Sequence, residues 1–174
     1  MLVTVSGLPG SGTSTVARLV ATRLGIARVD GGTVFRSMAA DRDLDVRAFS
    51  VIAEGDPDID IELDTRLAAI ARAGDVVLES RLAAWIAVNE RVEATKVWID
   101  GDEDVRARRV AERELIAVAQ ALEANRVRET SERLRYRALY GIDLQDRSIY
   151  DLVVDSTGVS PEELTESIVT AASK

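Results

Sequence analysis

The sequence predicts an α/β protein, a three-layer sandwich in which a five-stranded parallel sheet lies between two layers of helices. Two observations lead to this fold class. Short apolar runs that are typical of buried strands recur along the chain, and the segments between them place apolar residues at the 3.6-residue spacing of helices. Such alternation is typical of a parallel sheet that is covered on both faces. The predicted strands are residues 2–5, 27–29, 75–78, 96–99 and 151–154.

The first and last helices have the most clearly marked ends. The first is predicted to begin within Thr13–Thr15 and to end at Leu24, because Gly25 favours the left-handed conformation that stops a helix. The last is predicted to begin at Pro161, where Ser160 acts as the cap and acidic residues in the first turn suit the positive end of the helix dipole.

Two long segments between these helices also have a helical pattern. Residues 33–72 contain no convincing strand and are broken by turn-forming residues at 55–58, so we interpret them as an all-helical insertion between the second and third strands. Residues 105–139 are helical again, and residues 138–146 are predicted to form a loop before the last strand.

Composition excludes several functions. The 174 residues fit one domain, and they include no cysteine and no histidine. Disulfides, thiolate nucleophiles, His/Cys zinc sites and Ser-His-Asp triads are therefore excluded. The formal charge of −8 argues against nucleic acid or an anionic membrane as partner. Since no apolar run approaches the roughly 20 residues of a membrane span, a cytoplasmic location is expected.

The stretch "VSGLPGSGTSTV", residues 5–16, closely matches the phosphate-binding pattern G-x-x-x-x-G-K-[ST]. Gly7, Gly12 and Ser14 fall in register, but Thr13 stands where the lysine belongs. Glycines between a strand and a helix let backbone N–H groups point inward, and the helix N-terminus adds partial positive charge. The Ser14 hydroxyl would be a Mg²⁺ ligand, with Thr15 beside it. The alternative is a tight glycine-rich turn that binds nothing.

The missing lysine removes a charge that normally lies on the β- and γ-phosphates. The chain has only two lysines, Lys96 next to another strand and Lys174 at the end, so neither replaces it easily. It has twenty arginines, which suits bidentate phosphate recognition, although a compositional bias of the source would give the same count. Arginines must therefore supply the missing charge, or the protein is a poor enzyme.

Several arginines are placed for this role. Arg36 and Arg81 follow the second and third strands, at the end of the sheet where ligands bind in open α/β folds. Glu79, at the end of the third strand, would hold a Mg²⁺-bound water or, alternatively, pair with Arg81 or Arg36. Two further arginine pairs each share one helix face, and these are Arg109 with Arg113, and Arg128 with Arg135. For any single arginine the alternative is a solvated surface residue.

Taken together, these residues resemble the archaeal-type cytidylate kinases, a branch of the nucleoside monophosphate (NMP) kinases. The resemblance runs from Val3 to about Pro161. It rests on "SGLPGSGTST", "GGTVFRSMA", "AEGDPDIDIELD", "VVLESRLAAWI", "VRARRVAERE" and above all "SERLRYRALYGIDLQDRSIYDLVVDST". That last block is unlike the ending of adenylate kinases.

The resemblance implies one P-loop kinase domain over residues 1–174, with an NMP-binding insertion at about 33–72 and a lid at about 109–137. ATP and Mg²⁺ are the implied cofactors. The implied ATP-binding residues are Gly7, Leu8, Pro9, Gly10, Ser11, Gly12, Thr13, Ser14, Thr15, Arg109, Asp155, Ser156, Thr157 and Gly158. The implied acceptor-binding residues are Gly32, Arg36, Asp60, Asp64 and Arg81. The implied catalytic residues are Arg81, Arg109, Arg113, Arg128 and Arg135, and the implied metal-binding residues are Ser14 and Glu79.

The expected activity is transfer of the ATP γ-phosphoryl group to CMP, and also to dCMP, by a monomer or small homo-oligomer that binds neither nucleic acid nor membrane. The acceptor is already an anionic phosphate, so no general base is needed. Thr13, Thr33, Ser80 and Ala84 depart from the family pattern. Two alternatives therefore remain open: a kinase for another NMP or small phosphate acceptor, and a nucleotide-sensing protein with impaired catalysis.

Overall fold

A five-stranded parallel sheet forms the centre of the protein. The computed structural model describes residues 1–173, apart from the side chains of Arg47 and Ser50. Lys174, one of the two lysines considered above, lies outside the described residues. The strand order is β2-β3-β1-β4-β5, and every pairing is parallel. The strands are β1 (Leu2–Gly7), β2 (Ala27–Asp30), β3 (Val76–Glu79), β4 (Thr95–Asp100) and β5 (Leu152–Asp155).

Helices cover both faces of this sheet, which confirms the predicted three layers. They are α1 (Thr13–Leu24), α2 (Gly31–Ala40), α3 (Val46–Gly55), α4 (Pro57–Ala73), α5 (Ala83–Asn89), α6 (Glu103–Glu114), α7 (Val118–Tyr140) and α8 (Pro161–Ala172). One core joins Val5 of β1 to Val20 of α1 and Ile168 of α8. A second core, on the other face, joins Leu78 of β3 to α4 and α5.

The first helix begins and ends as predicted, and the last helix begins as predicted. Gly25 has a φ of 67°, and its N–H donates to the carbonyls of Ala21 and Thr22, so it stops α1. Ser160 accepts from the Glu163 N–H at 3.2 Å, and Pro161 opens α8. These local signals are sufficient to set the helix ends, because the hydrogen bonds of each cap are made to residues within one helical turn.

The segment between β2 and β3 is all-helical as predicted, and it holds the three helices α2, α3 and α4. The predicted break at residues 55–58 lies at Asp56, which caps α4. A second break follows α2, and Asp45 caps α3 by accepting from the Ala48 N–H at 2.8 Å. The insertion has its own small core around Met38, Phe49 and Ile59.

The predicted helical segment at 105–139 is two antiparallel helices, α6 and α7. The chain turns at Leu115, a non-glycine residue with a φ of 56° and a side chain that is 91% exposed. The loop predicted from residue 138 was wrong at its start, because α7 continues to Tyr140 and ends at Gly141 with a φ of 68°. Within residues 1–173, no helix combines the length and apolarity that a membrane crossing requires.

Candidate active site

The candidate site lies at the carboxyl ends of the parallel strands, where ligands bind in open α/β sheets. The loop between β1 and α1 holds the centre of this edge, because β1 pairs with β3 on one side and β4 on the other. Arg81 follows β3 on one side of the loop, and Ser156 follows β5 beyond β4 on the other.

Three glycines shape the loop between β1 and α1. A Cβ on Gly7 would lie 2.5 Å from the carbonyl oxygen of Ile99 and 2.5 Å from the hydroxyl of Ser11. A Cβ on Gly10 would lie 2.3 Å from the carbonyl oxygen of Arg106, and Gly10 also has a φ of 82°. Gly12 has open space around it but a φ of 89°, which only glycine adopts at little cost. Close packing therefore requires glycine at positions 7 and 10, and the backbone conformation requires it at position 12.

Arg106, which the sequence analysis did not single out, supports this loop from behind. Its side chain is 5% exposed and donates to the Pro9 carbonyl at 3.0 Å and to the Gly101 carbonyl at 3.0 Å. Glu129 of α7 pairs with the same guanidinium at 2.5 Å. Arg106 thus links the loop, β4 and the lid helix α7, and its location within the dense arginine run of α6 was the available signal.

Ser14 and Glu79, the two implied metal-binding residues, are in contact. The Ser14 hydroxyl donates to the Glu79 carboxylate at 2.5 Å, and Glu79 is 9% exposed. The alternative prediction, an ion pair of Glu79 with Arg81 or Arg36, named the wrong arginine. Arg28 is the partner, and it donates to the Glu79 carboxylate at 2.5 and 3.1 Å. Strand register explains this: Asp30 of β2 lies opposite Glu79, so Arg28, two residues earlier, points to the same face of the sheet.

This pair fits a Mg²⁺ ion in donor chemistry. Mg²⁺ prefers hard oxygen ligands and keeps several waters, so it needs only one or two protein groups besides substrate phosphates. Ser14 offers a hydroxyl oxygen and Glu79 a carboxylate. Across the part of the chain that is described, no cluster of three or more acidic side chains could hold a metal ion by itself.

In the described part of the chain, Lys96 does not take the place of the lysine that is missing at Thr13. Lys96 lies opposite Thr4, three residues before the pairing of Gly7 with Ile99, so it is about 10 Å from that end of the strand. Its ammonium group donates to both oxygens of Asp151, at 2.8 and 3.1 Å. The cations near the loop are therefore guanidinium groups.

Arg81 and Arg128 come together through a carboxylate that the sequence analysis did not single out. Arg81 donates through Nε to Glu132 at 2.7 Å, and Arg128 donates through Nε to the other oxygen of Glu132 at 2.8 Å. The side chains of Arg81 and Glu132 are 14% and 9% exposed, whereas that of Arg128 is 62% exposed. The i,i+4 spacing of Arg128 and Glu132 could have predicted their contact, whereas no pattern in the sequence indicated the contact of Glu132 with Arg81.

Arg135, on the same helix α7, contacts the insertion instead. Its Nε lies 2.8 Å from the Asp60 carboxylate, without the geometry of a directed hydrogen bond, so the contact is an ion pair. Burial raises the pKa of Asp60; Arg135 opposes this shift, and the charge on Glu132 adds to it. Two predicted site residues, one from the lid and one from the insertion, are thus in contact.

Asp64 lies one turn further along α4. Burial raises the pKa of its carboxyl to about 6, while the Tyr140 hydroxyl and the Arg135 charge lower it and the Asp60 charge raises it. Burial also raises the pKa of Tyr140, and the neighbouring Asp64 carboxyl raises it further. Asp64 therefore changes its charge close to neutral pH.

Arg109 and Arg113 do not act as a pair. Arg109 donates to the hydroxyl and the carbonyl of Ser156, at 2.9 and 2.7 Å, and lies 3.4 Å from the Gly10 carbonyl. It therefore ties the phosphate loop to the loop after β5. Arg113 is 64% exposed and pairs with its neighbour Glu114, and its implied catalytic role stays a prediction.

The loop after β5 is compact. The buried Ser156 donates its N–H to Asp100, Thr157 donates its N–H to Asp155 at 2.8 Å, and Gly158 has a φ of 73°. Leu8, Pro9 and Thr15 lie in or beside the phosphate loop as the motif predicts, and Thr15 is exposed.

Arg36 and Gly32 lie in α2, just after β2. Arg36 donates to the Thr33 hydroxyl at 2.7 Å, and its side chain is 57% exposed. A Cβ on Gly32 would lie 3.3 Å from the Arg36 guanidinium and 3.1 Å from the Asp30 carboxylate. Glycine at 32 thus leaves room for this pair at the edge of the site.

Comparison with known proteins agrees with this geometry. Residues 2–158 match the model of the "Cytidylate kinase-like family". A cytidylate kinase of Methanopyrus kandleri is 45% identical over 179 residues, covering 99% of this chain and 92% of that protein. A cytidylate kinase of Halobacterium salinarum is 47% identical over 172 residues, covering 98% of this chain and 88% of that protein.

Among solved structures, a shikimate kinase from Bacteroides thetaiotaomicron has the same fold. It superimposes with a TM-score of 0.64 at 15% identity, covering 98% of this chain and 94% of that one. At this identity the likeness concerns the fold alone. The match of the family model and the two relatives, which span nearly the whole chain, show that this protein belongs to the cytidylate kinase-like family.

Proposed function

We propose that the protein transfers the γ-phosphoryl group of ATP to CMP, giving CDP and ADP, with dCMP as a second acceptor. One observation carries the proposal: relatives named cytidylate kinase are 45% and 47% identical over nearly the full chain. The site geometry supports it independently, because a glycine-shaped loop, a Ser14–Glu79 pair and several guanidinium groups gather at one edge of the sheet.

Catalysis by this site consists of positioning and charge neutralisation. The backbone N–H groups of the loop and the N-terminus of α1 would hold the ATP phosphates. Arg36 and Arg81 would bind the phosphate of the acceptor, and Arg128 and Arg135 the transferring group. The attacking group is a phosphate oxygen that is already anionic, so a chain without histidine lacks nothing for this step.

Ser14 and Glu79 would hold Mg²⁺, which when bound neutralises phosphate charge. Arg28 already pairs with the Glu79 carboxylate, which also accepts from the Ser14 hydroxyl. Around the donor, Arg109 would fix the position of residues 155–158 against the phosphate loop, where the adenine of ATP would pack.

Base recognition would come from the insertion. Asp60 and Asp64 lie on one face of α4, and a carboxylate accepts well from the cytosine amino group. Arg135 occupies Asp60 in this structure, so acceptor binding at Asp60 would require the lid helix to move relative to α4.

The direct test is a coupled ADP-release assay with ATP and Mg²⁺ across CMP, dCMP, UMP, AMP and GMP. We expect the highest kcat/KM with CMP, followed by dCMP. The fastest turnover with AMP would refute the cytidine assignment, and failure of all five nucleotides would favour a kinase for another phosphate acceptor.

Thr13 supports one competing function, a nucleotide-binding protein with impaired catalysis. No ammonium group reaches the loop in residues 1–173, and a charge at this position is normally part of the catalytic neutralisation. The Thr13→Lys variant separates the two functions. A parent that binds ATP without turnover, together with a lysine variant that gains turnover, would favour the binding protein.

A further inference from the structure

We propose that Glu132 is a positioning residue that holds Arg81 and Arg128 at a fixed spacing, with the outer ends of both guanidinium groups available to the reacting phosphates. The inference rests on the proposed function and adds to it a residue that neither the motif nor the family resemblance singled out. Three features of the contact between Glu132 and the two arginines support the inference. These are the guanidinium nitrogens that donate, the net charge of the three side chains, and the parts of the fold that the contact joins.

Both arginines use the same nitrogen to contact Glu132. Arg81 and Arg128 each donate through Nε, to different oxygens of one carboxylate. In the described part of the chain, the Nη groups of these two arginines make no hydrogen bond. A guanidinium group whose Nε is occupied still offers both Nη groups, which is the edge that grips phosphate oxygens bidentately.

The charges of this cluster do not balance. Two guanidinium groups and one carboxylate leave a net charge of +1 at a place where the Glu132 side chain is only 9% exposed. Burial raises the pKa of Glu132, but Arg81 and Arg128 lower it more, so the carboxyl stays ionised. An unbalanced positive charge in a partly buried site attracts an anion, and a phosphoryl oxygen would complete the neutralisation.

The contact joins two separate parts of the site. Arg81 follows β3 on the rigid edge of the sheet, and Glu132 and Arg128 are one turn apart on the lid helix α7. The carboxylate therefore sets the position of a lid arginine relative to a sheet arginine. Small errors in such positioning lower kcat strongly, because the reacting groups must be aligned before transfer.

Glu132→Gln tests this role with little change in side-chain size. The amide keeps one accepting oxygen, so it can hold only one of the two arginines. We expect kcat to fall about 10- to 100-fold, with the KM for ATP changed less than about threefold. Glu123→Gln, an exposed change on the same helix, is the matched control and should leave kcat within about twofold.

A double-mutant cycle with Arg128→Ala separates positioning from general structural support. Without Arg128, the single accepting oxygen of the amide in the double variant E132Q/R128A suffices for Arg81. The loss that E132Q causes in this background should therefore shrink to less than about threefold. Equal fold losses in both backgrounds would overturn the proposal.

Glu132→Asp keeps the charge and serves if the glutamine variant folds poorly. Its carboxylate is one methylene shorter and reaches one arginine less well, so kcat should lie between those of the wild type and E132Q. Wild-type kcat in either variant would overturn the proposal, as would a rise in kcat/KM, which would identify Glu132 as a competitor of phosphate. These outcomes leave the CMP kinase assignment intact, whereas a wild type that phosphorylates no nucleotide would refute that assignment instead.

Discussion

At the scale of single residues, carboxylates orient several guanidinium groups of the site. Arg28 pairs with Glu79, Arg81 with Glu132, and Arg135 with Asp60. A guanidinium group held in this way keeps a defined orientation and still has unused donors. Under the proposed function, several oriented groups of this kind would take over the role of the ammonium group that is missing at Thr13.

The sequence predicted these arginines better than it predicted their partners. Arg81 was identifiable because it directly follows a buried strand, a local property. Glu132 is 51 residues away in sequence, and no local pattern connects the two. Arg28 was missed for a similar reason, since its contact with Glu79 depends on the register of β2 against β3.

We predict that Arg81→Ala lowers kcat far more than Thr13→Ala does. Under the proposed function Arg81 would carry charge at the acceptor phosphate, where an arginine is worth about 10³-fold or more, whereas Thr13 carries no charge and its loss should cost less than about tenfold. Steady-state kinetics with ATP and CMP measure both values. The exposed Arg18→Ala on α1 is the control, and equal, small losses for R81A and T13A would contradict the prediction.

At the scale of elements, α7 meets α4 of the helical segment between β2 and β3. Arg135 pairs with Asp60, and Tyr140 lies beside Asp64. The helical pattern of both segments was readable from apolar spacing, but the turn at Leu115 was not, because no glycine or proline marks it. The end of α7 had a usable signal in Gly141, which stops the helix as Gly25 stops α1.

This contact predicts a pH-dependent stability that Asp64 controls. The pKa of its carboxyl is raised from 3.8 to about 6 in the folded protein, so the folded state binds the proton more tightly than the unfolded state. The free energy of unfolding should therefore fall as the pH rises from about 4 to about 7. Asp64→Asn removes this fall and should be more stable than the wild type at pH 8, by on the order of 1 kcal/mol.

Urea unfolding of the wild type and D64N at pH 4, 6 and 8 measures this difference. The difference in free energy of unfolding between the two proteins should widen as the pH rises and then level off above about pH 7. The control E123Q changes an exposed carboxylate on α7 and should give a gap that hardly depends on pH. If the difference in free energy of unfolding between the wild type and D64N stayed constant with pH, the pKa of Asp64 would not be raised by folding, which would contradict the prediction.

At the scale of the whole molecule, an acidic protein concentrates positive charge at one edge of its sheet. The net charge is −8, yet the phosphate loop is bordered by Arg28, Arg81, Arg106 and Arg109. Parallel strands make this possible, because all their carboxyl ends lie at the same edge. The sequence predicted this architecture because strand and helix periodicity, loop motif and end signals all agreed.

The central claim is that guanidinium groups and backbone amides bind two nucleotides without a loop lysine. Isothermal titration calorimetry tests it most directly, with a non-hydrolysable ATP analogue and then CMP titrated into the wild-type protein in saturating Mg²⁺. We predict measurable heat from both titrations, with dissociation constants between about 1 μM and 1 mM. Absence of heat from both nucleotides would contradict the claim.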